Sequence, residues 1–202
     1  MKKDGIAYTV LFTFVACAVF IVPLAFANEL TKGAVAANRL FASHSAVLDA
    51  FGIPYSGAAD VEAKYATVRE LEEGAWSIES GGSTLYAAAG RGPGLWGTIE
   101  IVVAADPASG RVVGVRVLSH NETPGLGGRI EEEPFLSQYR GERYEAGGVE
   151  IRTGAEASGG LDADPDNSTI DGVSGASRSS QALKSIVNAA LVRISELAGG
   201  GR

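Results

Sequence analysis

Hydrophobic positions along this chain fall into three regimes. An unbroken apolar run lies near the N-terminus, short Val/Ile-rich stretches fill the middle, and a helical stripe closes the sequence. The run, Ile6 to Phe26, is 21 residues without a formal charge. At about 1.5 Å per residue a helix of this length spans about 30 Å, the thickness of a bilayer's hydrocarbon core. It predicts a transmembrane anchor, with Cys17 inside it as a lipid-facing or packing residue. Lys2 and Lys3 precede the run, so the positive-inside rule keeps the N-terminus in the cytoplasm and exports the rest. Ala25-Phe26-Ala27 also fits a small-x-small cleavage pattern, but the run is longer than a typical signal-peptide core, which favours a retained anchor. Both readings put the remainder on the outer side. The sequence therefore divides into residues 1–27, a cytoplasmic tip and anchor, and residues 28–202, an exported domain.

Within that domain, Ala34 to Phe51 carries Leu40, Phe41, Val47, Leu48 and Phe51 at near-helical spacing, with Gly52 and Pro54 as the stop. Val61 to Leu71 mixes charged and apolar residues without a period. Short strands are expected at Ala75–Ile78 and Thr84–Ala88, around the turn Ser80-Gly81-Gly82. Thr98–Ala104 and Arg111–Leu118 are Val/Ile-rich and flank Asp106-Pro107-Ala108-Ser109-Gly110, which predicts a β-hairpin. A Pro/Gly-rich loop, Ser119 to Gly128, follows. Phe135–Tyr139 predicts a short helix ending near Gly141, and Gly154–Asn167 a loop. Ser179–Leu197 is an amphipathic helix, with Leu183, Ile186, Val187, Ala190, Leu191 and Ile194 on one face. Strands followed by a closing helix, without βαβ alternation, predict an α+β domain with an antiparallel sheet.

Composition narrows the function. The whole chain has 202 residues and a formal charge of −7, and from Asn28 onward the charge is −8, which excludes a nucleic-acid footprint. One cysteine rules out an internal disulfide framework, a Cys-rich zinc site and a Cys-ligated iron–sulfur cluster. Two histidines, His44 and His120, leave little for a histidine-based metal centre, so no metal site is expected.

Candidate chemistry gathers in Asp171-Gly172-Val173-Ser174-Gly175-Ala176-Ser177-Arg178-Ser179-Ser180, just before the last helix. A helix N-terminus presents free N–H groups and a positive dipole end, which suit phosphate. Gly175 and Ala176 leave room for a bulky group near the backbone. The plainer alternative is a surplus of capping hydroxyls. The segment misses the nucleophile-elbow pattern, because its Gly is one place early. Asp162, Asp164 and Asp166 imitate the start of a calcium loop, but Pro165 interrupts it and Val173 stands where the bidentate Glu belongs. Gly90-Arg91-Gly92-Pro93-Gly94 precedes a strand and is no dinucleotide fingerprint.

Two motifs together carry more. Asp171-x-x-Ser174-Gly175-Ala176-Ser177 resembles the flavinylation signature D-x-x-[ST]-G-A-[TS], and His120-x-Glu122-Thr123-Pro124-Gly125-Leu126-Gly127 the H-x-E-T-P-G-L-G loop of the same family. With the N-terminal anchor and Gly94-Leu95-Trp96-Gly97 before the hairpin, the chain resembles the exported FMN-binding (G) subunit of Rnf-type ion-translocating oxidoreductases. It is also similar to the corresponding (C) subunit of the sodium-translocating NADH:quinone reductase, toward which Leu95-Trp96 and Gly127-Gly128 lean. The resemblance implies FMN joined through its phosphate to Ser177, where the family usually has Thr, with Asp171 read by a flavin transferase. It also implies that Ser174, Gly175 and Ala176 surround the attachment, and that Leu95, Trp96, Leu126 and Gly127 form the ring platform. Thr123 would hydrogen-bond the cofactor, and Glu122 and His120 would position the loop. The flavin performs the redox step, so no residue of the chain is expected to be catalytic. The implied setting is the bacterial cytoplasmic membrane, with the domain on the periplasmic side and other membrane subunits as electron donor and acceptor. A flavin-free exported interaction or solute-binding module is the alternative of a different class.

Overall fold

Helix α1 runs unbroken from Ile6 to Ala50, joining the apolar run to the helix expected after it. The computed structural model describes residues 5–144, 148–154 and 161–200. Lys2 and Lys3, the residues expected to set the topology, lie outside this range, as does part of the expected loop 154–167. Nothing in Asn28–Gly33 stops the helix: Thr31 donates its hydroxyl to the Ala27 carbonyl at 3.0 Å, and Lys32 pairs with Glu29 at 3.5 Å. Pro23 sits inside it, within the apolar stretch, without interrupting the helix. Among the described residues α1 is the one helix long and apolar enough to cross a membrane. The chain forms two compact units, Met1–Leu40 and Phe41–Arg202, and the last turns of α1 belong to the second.

The second unit is built on an antiparallel meander of five strands in the order β1-β2-β3-β4-β5: Arg69–Glu72, Ala75–Ser80, Ser83–Pro93, Thr98–Asp106 and Arg111–Ser119. Alternation along β4 explains the layers. Ile99, Ile101, Val103 and Ala105 face one core, while Val102 and Ala104 face the other. The first core is closed by the C-terminal helix (Ser177–Gly199) through Leu183, Ile186, Val187, Ala190, Leu191 and Ile194. The second is closed by the end of α1, where Ala46, Val47, Ala50 and Phe51 meet Trp76 and Ala87. A register shift opposite Ala104 and Ala105 leaves Val113 unpaired, so that Val113 and Gly114 both turn toward the second core, where the missing side chain of Gly114 admits the Ala50 carbonyl. The β2–β3 turn uses Gly81 and Gly82 at φ 59° and 85°, the two positive values that a tight hairpin turn demands.

Two pieces escaped the hydrophobic pattern. Residues 61–71 split into α2 (Ala58–Tyr65), with Val61 its one buried residue, and β1, an edge strand exposed throughout. The other is a parallel pair, β6 (Glu150–Arg152) and β7 (Thr169–Asp171). Between the hairpin and this pair lie a 3₁₀ turn at Gly127–Glu131, the short helix α3 (Glu133–Leu136) and a second 3₁₀ turn at Ser137–Tyr139. Glu142 follows, buried, near the backbone of Ser168 and Thr169 at the entry to β7. Its burial, with the charges of Asp162 and Asp164 nearby, pushes its carboxyl up to about 7.

The C-terminal helix, α4, lies close on β3 because Gly90 and Gly92 carry no side chains. A Cβ at Gly92 would stand 2.6 Å from Ile186 Cγ1, and one at Gly90 would stand 2.9 Å from Ile186 Cγ2. Gly92→Val should therefore lower unfolding stability by about 1–3 kcal/mol, although valine suits a strand. Urea denaturation of the full chain checks this, and Ile186→Ala in the same chain should recover part of the loss.

Candidate functional site

Three segments far apart in sequence meet at one end of the sheet. They are the turn Gly94–Gly97 joining β3 to β4, the loop after β5 from His120 to Gly128, and the first turn of α4. They enclose a cleft of about 320 Å³ lined by Leu95, Trp96, Glu122, Thr123, Leu126, Gly127, Gly175, Ala176, Ser177, Arg178 and Ser179. Nine of the eleven residues expected from sequence line it. The other two, Asp171 and Ser174, line a neighbouring cleft of about 210 Å³ with Arg129, Phe135, Gln138 and Leu161.

Glu122 organises the junction. The residue is 4% exposed; Oε1 accepts from the N–H of Leu95 at 2.7 Å and of Trp96 at 3.2 Å, and Oε2 accepts from the Ser179 hydroxyl at 2.6 Å. Burial works to raise its pKa. The Ser179 hydroxyl, the two N–H groups and the His120 imidazole outweigh that and hold it below the usual glutamate range. Gly94 and Gly127 leave space for this carboxylate. A Cβ at Gly127 would lie 2.6 Å from Ser179 Oγ and 2.7 Å from Glu122 Oε2, and one at Gly94 would strike Oε1. His120 braces the same loop, its Nδ1 accepting from the Glu122 N–H at 3.1 Å and its Nε2 meeting Glu131 at 3.2 Å. The Thr123 carbonyl accepts from the N–H groups of Leu126 and Gly128, which rounds the loop and leaves Thr123 exposed at the cleft.

The walls are apolar and open. Trp96 is 69% exposed, Leu126 54% and Leu95 42%, although each sits on a segment pinned from below. Apolar side chains held at a cleft without a protein partner are suited to a flat aromatic ligand. At the other end, Gly175 with φ 79° turns the chain into α4. The cap position is Ala176, whose methyl supplies no hydrogen bond to the helix start. The hydroxyls read from sequence as surplus caps are used inside instead: Ser179 holds Glu122, and Ser180 Oγ accepts from the Val173 N–H at 3.0 Å. Ser177 is left exposed at the first helical position, beside N–H groups that no side chain caps.

Asp171 is placed differently from the rest. It is 3% exposed on β7, with Oδ1 at 2.9 Å from Arg152 Nε. Its backbone N–H and C=O are both held by the Gln138 side chain at 3.0 Å. Its carboxylate thus ties β7 to Arg152 at the end of β6. Ser179 and Arg178 line the cleft too, although the sequence assigned them no role beyond a place in the segment before the last helix. For Ser179 the available signal was its place in the first turn of the helix, facing the core.

The FMN-binding domain family matches residues 94–192, from the first of these segments to well inside α4. The chain is 36% identical over 115 residues to a subunit of the ion-translocating oxidoreductase complex of Cereibacter sphaeroides, its G subunit, covering 54% of this chain and 50% of that protein. It is 35% identical over 99 residues to the C subunit of the Na⁺-translocating NADH-quinone reductase of Yersinia pestis, covering 48% and 36%. Its aligned part thus spans half or less of the length of these relatives. The crystal structure of the same reductase component from Parabacteroides distasonis superposes with a TM-score of 0.64 at 19% identity, over 79% of this chain and 92% of that one, a shared fold. The chain is accordingly similar to these components of ion-translocating complexes, and its residues 94–192 match the FMN-binding domain family.

Proposed function

We propose that this chain is a membrane-anchored flavoprotein subunit that relays electrons within an Rnf-type ion-translocating oxidoreductase complex, with FMN joined covalently to Ser177. The observation that carries the reading is the single cleft uniting Glu122–Gly127 with Gly175–Ser177, two motifs about fifty residues apart. Helix α1 anchors the chain in the bacterial cytoplasmic membrane, with the domain on the periplasmic side, where a freely dissociating cofactor would be lost by diffusion. Neighbouring membrane subunits supply and accept the electrons, and a flavin transferase makes the bond.

The residues present fit the cofactor. The uncapped first turn of α4 offers N–H donors and a positive dipole end to the phosphate. Leu95, Trp96 and Leu126 offer apolar surface to the ring. FMN, when bound, supplies the capacity to take up and release electrons; the protein supplies its position and surroundings. The new bond joins Ser177 Oγ to the phosphorus of a flavin phosphoanhydride donor; the donor's P–O–P linkage breaks, and the released phosphate group leaves with the hydroxyl proton. The chain gains the mass of FMN less one water.

The test is intact mass of the full chain, purified from a host that contains a flavin transferase and denatured before measurement. The FMN adduct is the expected result. Flavin that separates on denaturation would leave binding but remove the covalent link. A chain without flavin in that host would favour an exported interaction module.

The loop contributes separately from the attachment. Thr123→Val should leave the adduct complete, because Ser177 is untouched. It should shift the flavin midpoint potential by tens of millivolts, about 1 kcal/mol of differential hydrogen bonding between redox states. Redox titration beside the flavin-to-protein ratio measures both.

A further inference from the structure

We propose that Arg178 is the counter-charge for the flavin phosphate on Ser177, a positioning residue that fixes the phosphate end of the cofactor on the start of α4. The inference rests on the covalent reading above and deepens it. Arg178 lines the same cleft as Ser177 and is exposed. It stands in the first turn of α4, where the helix dipole is positive and a cation is unfavourable. No acidic residue in that turn offsets it. Among the described residues its guanidinium forms no ion pair, and the one carboxylate lining the cleft, Glu122, is buried and already accepts from three donors.

The unmodified site therefore concentrates positive potential from two sources, the helix start and Arg178, around an exposed hydroxyl. A phosphodiester keeps about one negative charge at neutral pH, and its free oxygens suit both the first-turn N–H groups and a guanidinium fork. Modification should then convert Arg178 from a destabilising residue into a stabilising one. A residue that only packs against the helix has no reason to change sign.

The experiment is a cycle on the full chain in detergent, with parent, Arg178→Gln and Arg178→Lys each prepared with and without flavin transferase. Adduct is scored first by intact mass, and thermal unfolding is then followed by far-UV circular dichroism. Without the adduct, Arg178→Gln should raise the midpoint by about 1–2 °C, through relief of the dipole. With the adduct it should lower the midpoint by about 2–4 °C, and Arg178→Lys should recover part of that loss. Salt at about 0.5 M should shrink both effects, since the pairing is solvent-exposed. An effect of the same sign and size in both forms overturns the role of Arg178 while leaving the adduct in place. A variant that folds but takes up no flavin also counts against it, because a counter-ion holds the product and is not needed to form the bond. Absence of adduct on the parent chain removes the covalent reading and this inference together.

Discussion

Ser177→Ala should carry no covalent flavin at all, while Ser174→Ala and Ser177→Thr should both be modified. The prediction separates two hydroxyls three residues apart on geometric grounds. Ser177 opens α4 and is exposed at the cleft shared with Trp96 and Leu126. Ser174 lies on the other side of Gly175 and Ala176 and lines the neighbouring cleft with Arg129 and Gln138. A flavin attached at Ser174 would have its phosphate off the helix start and its ring away from the apolar walls. Threonine at 177 keeps the hydroxyl, and the exposed position tolerates the extra methyl. Ser177→Ala keeps the first-turn N–H groups, so FMN can still bind without a bond and should wash out on denaturation. Intact mass and in-gel flavin fluorescence read all three variants. A full adduct on Ser177→Ala, lost in Ser174→Ala, would move the attachment to Ser174.

Glu122→Ala should cost about 2–4 kcal/mol of unfolding stability, because it strands two backbone N–H groups and the Ser179 hydroxyl at a buried junction. Glu122→Gln should cost about 1 kcal/mol, since its amide can still accept from Leu95 and Trp96 and donate to Ser179. The pH dependence follows from the direction of the shift. With its folded pKa held below the unfolded value, Glu122 contributes stability that is full above the unfolded pKa. That contribution is lost as pH falls through the folded pKa. Glu142 acts in the opposite sense. Raised to about 7, it contributes stability below the unfolded glutamate value, and this fades as pH rises through about 7. Denaturation midpoints from about pH 4 to 8 should thus fall at both ends. Glu122→Gln should flatten the acid limb and Glu142→Gln the alkaline one. Unchanged limbs in both variants would mean that neither carboxylate is linked to folding.

The central strands were legible because both of their faces are buried, which makes them Val/Ile-rich, and the last helix because its burial is one-sided. β4 and β5 show Val and Ile on alternating faces, and α4 shows a stripe from Leu183 to Ile194. β1 was hidden because all four residues face solvent, and β6 and β7 because three residues are too few to show a period. The join of the apolar run to the following helix was missed because helix continuity depends on the absence of a stop, which Asn28–Gly33 lacks. The two motifs were legible as strings, and so was most of the cleft lining. The wiring was not. That Glu122 reaches both Leu95 and Ser179 depends on how the β3–β4 turn folds over the loop, a tertiary fact with no local signature. The burial of Asp171 on Arg152 was likewise invisible, since an aspartate before Gly looks like any turn residue.

Ala176 sits where helices commonly place serine, threonine, aspartate or asparagine, and it leaves the start of α4 uncapped. An acceptor side chain at 176 would steady the unmodified domain by supplying internally what a phosphate supplies from outside. The two would then compete for the same donors. Selection for heat resistance of the unmodified chain would accordingly favour replacements that weaken its hold on cofactor. A thermally modest unmodified form is the expected companion of this alanine. The extra stability arrives only with maturation, so in a mixed population the chains that missed modification would be the first to unfold and be degraded.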